Sequence, residues 1–170
     1  STAYNYCDTG FTGPVHGGAT IAWWMKERNS PTTGLSYLWG GIGSTRCFTG
    51  GIANKGLFVR VFAGIDIVYP GDIQAAATGA GGVHVALTID AVGKSARWYI
   101  NGAPDGAAIT LPGGATVAAG ASSFKIGKHT SNSSSSCYDI DEFRLENRCA
   151  RAAEIKIWSV GATADVGLFA

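Results

Sequence analysis

The sequence predicts an all-β fold: an antiparallel β-sandwich with one short C-terminal helical turn. Three observations carry this reading. Short apolar runs with two-residue alternation recur along the 170-residue chain, and a period of two is the mark of a strand. Gly, Asn, Asp and Pro separate these runs at near-regular spacing, which supplies the turns that antiparallel strands need. Helical periodicity is confined to about residues 151–158. Many short strands of this kind bury their apolar sides by stacking two sheets face to face.

The elements follow in order. Residues 2–7 alternate weakly, and 8–18 form a loop punctuated by Gly and Pro. The run 19–26 carries Ile21, Trp23, Trp24 and Met25. Bulk on both faces of a strand means burial on both, or one face packed and one used for recognition. Pro31 follows, and the strand 35–42 is expected to carry Tyr37 and Trp39 on one face. Segments 47–53 and 57–63 flank Asn54-Lys55-Gly56, residues that tolerate the positive φ of a hairpin turn. Ile65-Asp66-Ile67-Val68-Tyr69 alternates cleanly until Pro70-Gly71, and the Ala- and Gly-rich stretch 73–82 is expected to be loop. A second hairpin joins 83–90 to 95–102. Short edge strands are expected at 107–111 and 115–118, a strand at 124–128, and a serine-rich loop at 130–136. A closing strand begins at Tyr138 and runs into the helical turn, and an apolar segment at 166–169 ends the chain.

Length points to one domain over residues 1–170. An apolar share of 46% against 15% charged residues gives a globular chain with a thinly charged surface. The net charge of +1 offers no field to draw in nucleic acid or anionic lipid. No apolar run approaches the ~20 residues of a membrane helix. The first residues lack the basic start and apolar centre of a signal peptide. A signal was removed, the chain was trimmed, or it leaves the cell by another route, such as on a virus particle.

Four cysteines, Cys7, Cys47, Cys137 and Cys149, predict two disulfides and an oxidising setting. Cys137 and Cys149 flank the closing strand, whose ends lie about 27 Å apart at ~3.4 Å per residue. A disulfide needs Cα atoms within ~7 Å, so these two do not pair. Either Cys7 joins Cys137 and Cys47 joins Cys149, or Cys7 joins Cys149 and Cys47 joins Cys137.

The closing stretch, Tyr138-Asp139-Ile140-Asp141-Glu142-Phe143-Arg144-Leu145-Glu146-Asn147-Arg148 with Cys149-Ala150-Arg151-Ala152-Ala153-Glu154-Ile155, resembles the hallmark that closes laminin-G-like jelly rolls. These domains belong to the concanavalin A-like lectin and glucanase superfamily. Val83-His84-Val85-Ala86-Leu87-Thr88-Ile89-Asp90, Arg97-Trp98-Tyr99-Ile100-Asn101-Gly102, Phe124-Lys125-Ile126-Gly127 and Thr20-Ile21-Ala22-Trp23-Trp24-Met25-Lys26 resemble further motifs of that family in order. The resemblance spans about residues 19–157. Two departures stand out. Gly81-Gly82 occupies a region where the family often has Trp, and the N-terminal portion is short. The segment 166–170 resembles a family edge strand at the opposite end of the chain. It is expected to fill that edge position or to pair with a neighbouring copy.

The superfamily includes glucanases, so the resemblance directs attention to carboxylates. Strict alternation places Asp139, Asp141, Phe143 and Leu145 on one face, with Ile140, Glu142 and Arg144 on the other. Glu142 is thus split from Asp141, and Phe143 stands where a third acid would complete a catalytic set. Retaining glycosidases need two carboxyls about 5–5.5 Å apart, one with a raised pKa, so no catalytic residue is assigned. His84 sits in a strand as a packed ring, and His16 and His129 show no metal-ligand spacing. No cofactor is required. Calcium is the one metal the resemblance implies, held by ~6–8 oxygens of loop carboxylates and carbonyls. The candidates are Asp66, Asp72, Asp105, Asn132 and Asp139.

A sugar presents an apolar C–H face and a polar rim, so its site needs an exposed aromatic ring with polar neighbours. Tyr37 and Trp39 with Arg60 are the expected set. The leading expectation is a non-catalytic recognition or adhesion module at an extracellular, cell-surface or virion exterior, with a glycan as the first ligand class and a surface protein as the other partner. The alternative is a structural or decoration subunit assembling with copies of itself, and a glucanase-like hydrolase ranks third.

Overall fold

The computed structural model describes residues 6–13, 18–28, 35–41, 49–53, 56–62, 65–90, 92–111, 122–128 and 136–161. Among the described residues eleven strands and two helices follow one another: β1 Cys7–Asp8, β2 Gly18–Glu27, β3 Leu35–Gly40, β4 Thr49–Ala53, β5 Gly56–Phe62, β6 Ile65–Val68, α1 Ile73–Ala77, β7 Val83–Asp90, β8 Ser95–Ile100, β9 Ala103–Thr110, β10 Lys125–Ile126, β11 Tyr138–Glu146 and α2 Ala152–Gly161. They build two antiparallel sheets. One has the order β1-β10-β3-β4-β5-β6 and the other β11-β2-β7-β8-β9. The sandwich, its central hairpins and the C-terminal helix agree with the sequence reading.

The core between the sheets is aromatic. Ile21, Trp23 and Met25 of β2, Trp39 of β3, Val85 and Leu87 of β7 and Trp98 of β8 all pack into it. The Trp23 and Trp39 rings meet edge to face at 4.6 Å, the geometry aromatic quadrupoles prefer. Trp39 fits because its strand partner is Gly50. A Cβ there would stand 2.1 Å from the Trp39 ring.

The outer face of the five-stranded sheet is buried too, so β2 is packed on both sides. Ala22, Ala86 and Tyr99 lie in line across β2, β7 and β8. The two alanines leave a hollow, and Ile155 of α2 fills it, fully buried, with Trp158 alongside. Thr20 fixes the approach: its hydroxyl donates to the Arg148 carbonyl and accepts from the Ala150 N–H, each at 2.7 Å. Glu154 then accepts the Arg151 N–H at 2.8 Å, satisfying a donor that the first helical turn leaves free. Arg148 donates to the same carboxylate at 2.8 and 3.0 Å, and it holds that group down to about 2.

Four expectations need correction. Residues 73–77 are helix rather than loop. Asp72 caps that helix by accepting the Ala75 N–H at 3.0 Å, and Ile73 and Ala77 are buried. The edge strand expected at 107–111 begins at Ala103. The expected alternation along β11 breaks at a bulge between Asp141 and Arg144, where Glu142 has φ +46° and donates its N–H to the Asp141 carboxylate at 2.7 Å. One extra residue resets the facing. Tyr138, Ile140, Phe143 and Leu145 therefore all pack against the core, while Arg144 lies 5.2 Å over the Trp158 ring. Finally, Tyr37 and Trp39 do not share a face, because β3 is irregular between them. The strands expected at 115–118 and 166–169, most of the serine-rich loop, His16 and His129 lie outside the described residues.

Candidate ligand-binding seam

The two long edges of the sandwich differ. At one, Tyr69 after β6 donates its hydroxyl across the sheets to the Asp105 carboxylate of β9, and its ring packs edge to face on Trp98 at 5.9 Å. Burial, then the bond to Asp105, raises the Tyr69 phenol to about 12. A Cβ at Gly71 would stand 2.6 Å from the Tyr69 hydroxyl, so a bare glycine is what lets the ring lie there.

At the other edge, β1 and β10 of one sheet face β11 of the other across an open seam. Cys7 pairs with Ile126 and Asp8 with Lys125, and the chain beyond β1 is tied on by paired bonds. Phe124 accepts the Thr9 N–H at 3.0 Å and the Thr9 hydroxyl at 2.8 Å, and its own N–H donates to Phe11 at 2.7 Å.

One end of the seam is polar. A cavity of about 350 Å³ is lined by Tyr6, Cys7, Arg28, Ile126, Gly127, Ser136, Tyr138, Asp139 and Ile140. Tyr6 is 46% exposed, with the Lys128 ammonium 4.8 Å over its ring. Arg28 lies 3.7 Å from Asp139 and donates to the Ser136 carbonyl at 3.1 Å. Nearby, Lys125 is 3.2 Å from Asp8, whose pKa is lowered chiefly by a hydrogen bond from Ser123 and then by the Gly10 N–H. This end combines an accessible ring, half-exposed cationic and anionic groups, and a peptide rim.

The other end is apolar. A cavity of about 390 Å³ is lined by Phe11, Phe124, Ile126, Phe143 and Leu145, with Thr9 and Asn147 at its polar margin. Its floor is continuous with the core, since Phe143 packs on Phe124 at 5.5 Å and on Trp39 at 5.4 Å.

The expected sugar platform is not at this seam. Trp39 is in the core with no exposed surface, and Tyr37 is 3% exposed, edge-on to Phe58 at 6.5 Å. Arg60 is clasped by Asp66 through two bonds of 2.6 and 2.7 Å, which hold its guanidinium more firmly protonated. The calcium candidates are scattered and otherwise engaged. Asp66 binds Arg60, Asp72 caps α1, Asp105 accepts from Tyr69, Asp139 faces Arg28, and Asn132 lies outside the described residues. Among the described residues no three His, Cys, Asp or Glu side chains gather as a metal site. The disulfide expectation is corrected for the three described cysteines: Cys7, Cys137 and Cys149 are all free thiols. Cys137 and Cys149 sit beyond opposite ends of β11, and Cys47 lies outside the described residues. His84 is 2% exposed, and burial followed by the Arg144 charge lowers it to about 4. It is a packed ring against Trp24.

Sequence reasoning missed Tyr6, Arg28, Lys128 and Phe11. Nothing in their local patterns links them, because they meet only once β1, β10 and β11 come together at the seam.

Comparison with solved structures gives jelly-roll neighbours at low identity. The binding domain of Botulinum neurotoxin DC, solved in complex with rat synaptotagmin II, aligns with TM-score 0.64 and 16% identity. The alignment covers 86% of this chain and 36% of that one, so this chain spans about a third of that protein's length. A native heptameric SAP-like pentraxin from Limulus polyphemus aligns with TM-score 0.62, 15% identity, and 85% and 70% coverage. A sialidase from Trypanosoma rangeli aligns with TM-score 0.60, 22% identity, and 89% and 24% coverage. Comparison with curated proteins gives no match. The Laminin_G_3 profile matches residues 1–156; with most of its length so matched, the chain belongs to that family of the concanavalin A-like lectin/glucanases superfamily.

Proposed function

We propose that the chain is a non-catalytic recognition module, acting outside the cell or on a particle surface, that binds a glycan at the polar end of the seam. The observation that carries this is the exposed Tyr6 ring beside Arg28, Asp139 and the Ser136 carbonyl in one 350 Å³ cavity. A pyranose lays its C–H face on such a ring, and its hydroxyls exchange hydrogen bonds with the charged rim. The cavity lies within the size range of small-ligand sites. Two neighbours are tied to carbohydrate: botulinum neurotoxin type C, whose cell entry is dependent upon interaction with two ganglioside molecules, and the sialidase. They support a carbohydrate reading, and the site's own residues carry it.

The carboxylates argue for binding rather than hydrolysis. Asp139 is matched with Arg28, and Asp141 accepts the Glu142 N–H, so each answers a donor instead of facing a second acid. A glycan array tests the reading. Wild-type protein should bind at least one glycan, and Tyr6→Ala and Arg28→Ala should each lose most of that signal. A silent array, or unchanged signal in both variants, would overturn it.

The second reading, a subunit of an assembly, draws on α2, where Ile157 is 70% and Val160 58% exposed. These positions lie three apart and so share one helix face. Light scattering at high concentration tests it, and a strict monomer would remove it.

A further inference from the structure

The two cavities of the seam are not independent. Both are lined by Ile126. Three elements run from one to the other in step. The chain through β1 passes from Cys7 at the polar end to Thr9 at the apolar end, that through β10 from Gly127 to Phe124, and that through β11 from Asp139 to Asn147. At ~3.3 Å per residue the β11 wall is about 26 Å long. The chain therefore presents one trough whose chemistry changes along its length, with charge and an aromatic ring at one end and Phe11, Phe124, Phe143 and Leu145 at the other.

Resting on the glycan reading above, we propose that the ligand is an amphiphilic glycoside. Its sugar lies at Tyr6, Arg28 and Asp139, and its aliphatic chain passes Ile126 into the apolar pocket. Continuity argues for one occupant over two. The polar end offers partners for a headgroup and little apolar depth, whereas the apolar end offers only Thr9 and Asn147 as polar margin. An extended peptide adding as a strand is the competing occupant, and β11 opposes it. Strand addition needs a regular row of edge N–H and C=O groups, and β11 is bulged between Asp141 and Arg144 with Glu142 in the left-handed region. Such bulges blunt an edge.

The test uses five probes below their aggregation limits: the n-octyl and methyl β-D-glucopyranosides, the matching β-D-galactopyranosides, and octan-1-ol. Each is titrated into the ¹⁵N-labelled full chain. An octyl glycoside should shift amides at both ends, at Tyr6 and Arg28 and at Phe11 and Phe124. It should bind at least about tenfold more tightly than its methyl counterpart, since several methylenes leave water, and more tightly than octan-1-ol. Phe11→Ala, at the pocket mouth, should narrow the octyl-over-methyl ratio, and Tyr6→Ala should weaken both glycosides. Octyl and methyl glycosides of equal affinity, shifts at one end only, octan-1-ol binding as tightly as the glycosides, or no shift with any probe would each overturn the proposal. Methyl glycosides held at the polar end with no octyl gain would sink the amphiphile alone and leave the glycan reading standing. Equal binding of octan-1-ol and octyl glycoside at Phe11 and Phe124, with a silent glycan array, would sink both.

Discussion

The two long edges of this sandwich solve the same problem in opposite ways. Where β6 meets β9, a buried tyrosine reaches across to an aspartate and ties the two sheets together. Where β1 and β10 meet β11, two- and nine-residue strands leave a seam with two cavities. A bridged edge of this kind contributes stability. An open one forgoes packing contacts and leaves polar and apolar groups facing a ligand-sized space. The contrast predicts that substitutions at the closed edge act on stability and those at the open edge act on binding.

The largest expected effect is at the closed edge. Tyr69→Ala removes a ring packed on Trp98 and should cost about 3–5 kcal/mol of unfolding free energy, read by chemical denaturation. Next comes a pH effect from β7, the strand at the centre of the roofed sheet. His84 is lowered to about 4 when folded, against ~6.5 when unfolded. Between those values the unfolded chain binds the extra proton, so stability is full above pH ~6.5 and falls as pH drops toward 4. The loss is on the order of 3 kcal/mol, and His84→Gln should flatten the profile. A loss that persists undiminished in His84→Gln would assign it to other groups. Third, Asp105→Ala leaves the Tyr69 hydroxyl without its acceptor, at about 1–3 kcal/mol. Smallest is Phe11→Ala at the open edge. Phe11 is 39% exposed, so only part of its burial is lost and stability should fall by about 1 kcal/mol or less. A large loss of stability there would erase the distinction between the edges.

Much of the fold was legible because its signals are local. The alternation of β7 and β8, the turn before β8 and the closing stretch all state their structure within a few residues. Bulk on both faces of β2 was legible as well, because Trp23 and Trp24 are adjacent and a strand sends them to opposite faces; that α2 buries the outer face, rather than leaving it for recognition, was not. What stayed hidden depends on single irregularities. The break between Tyr37 and Trp39 reverses one side chain and removes the expected sugar platform. The bulge at Glu142 brings Ile140 and Phe143 onto one face. Neither has a residue signature, since Leu38 and Glu142 are not bulge-forming types. Helix α1 was masked by alanines and glycines, although Asp72 before Ile73 is a capping signal. The seam is hidden for another reason: Tyr6, Arg28, Lys128 and Asp139 come from four separate stretches and meet only through sheet order.

The most direct measurement is backbone-amide shift mapping while a glycan identified on the array is titrated in. The account predicts shifts at Tyr6, Cys7, Arg28, Ser136 and Asp139, with Asp105 and the α2-covered face unmoved. Shifts centred on Phe58, Arg60 and Asp66, or at the Tyr69–Asp105 edge, would contradict it.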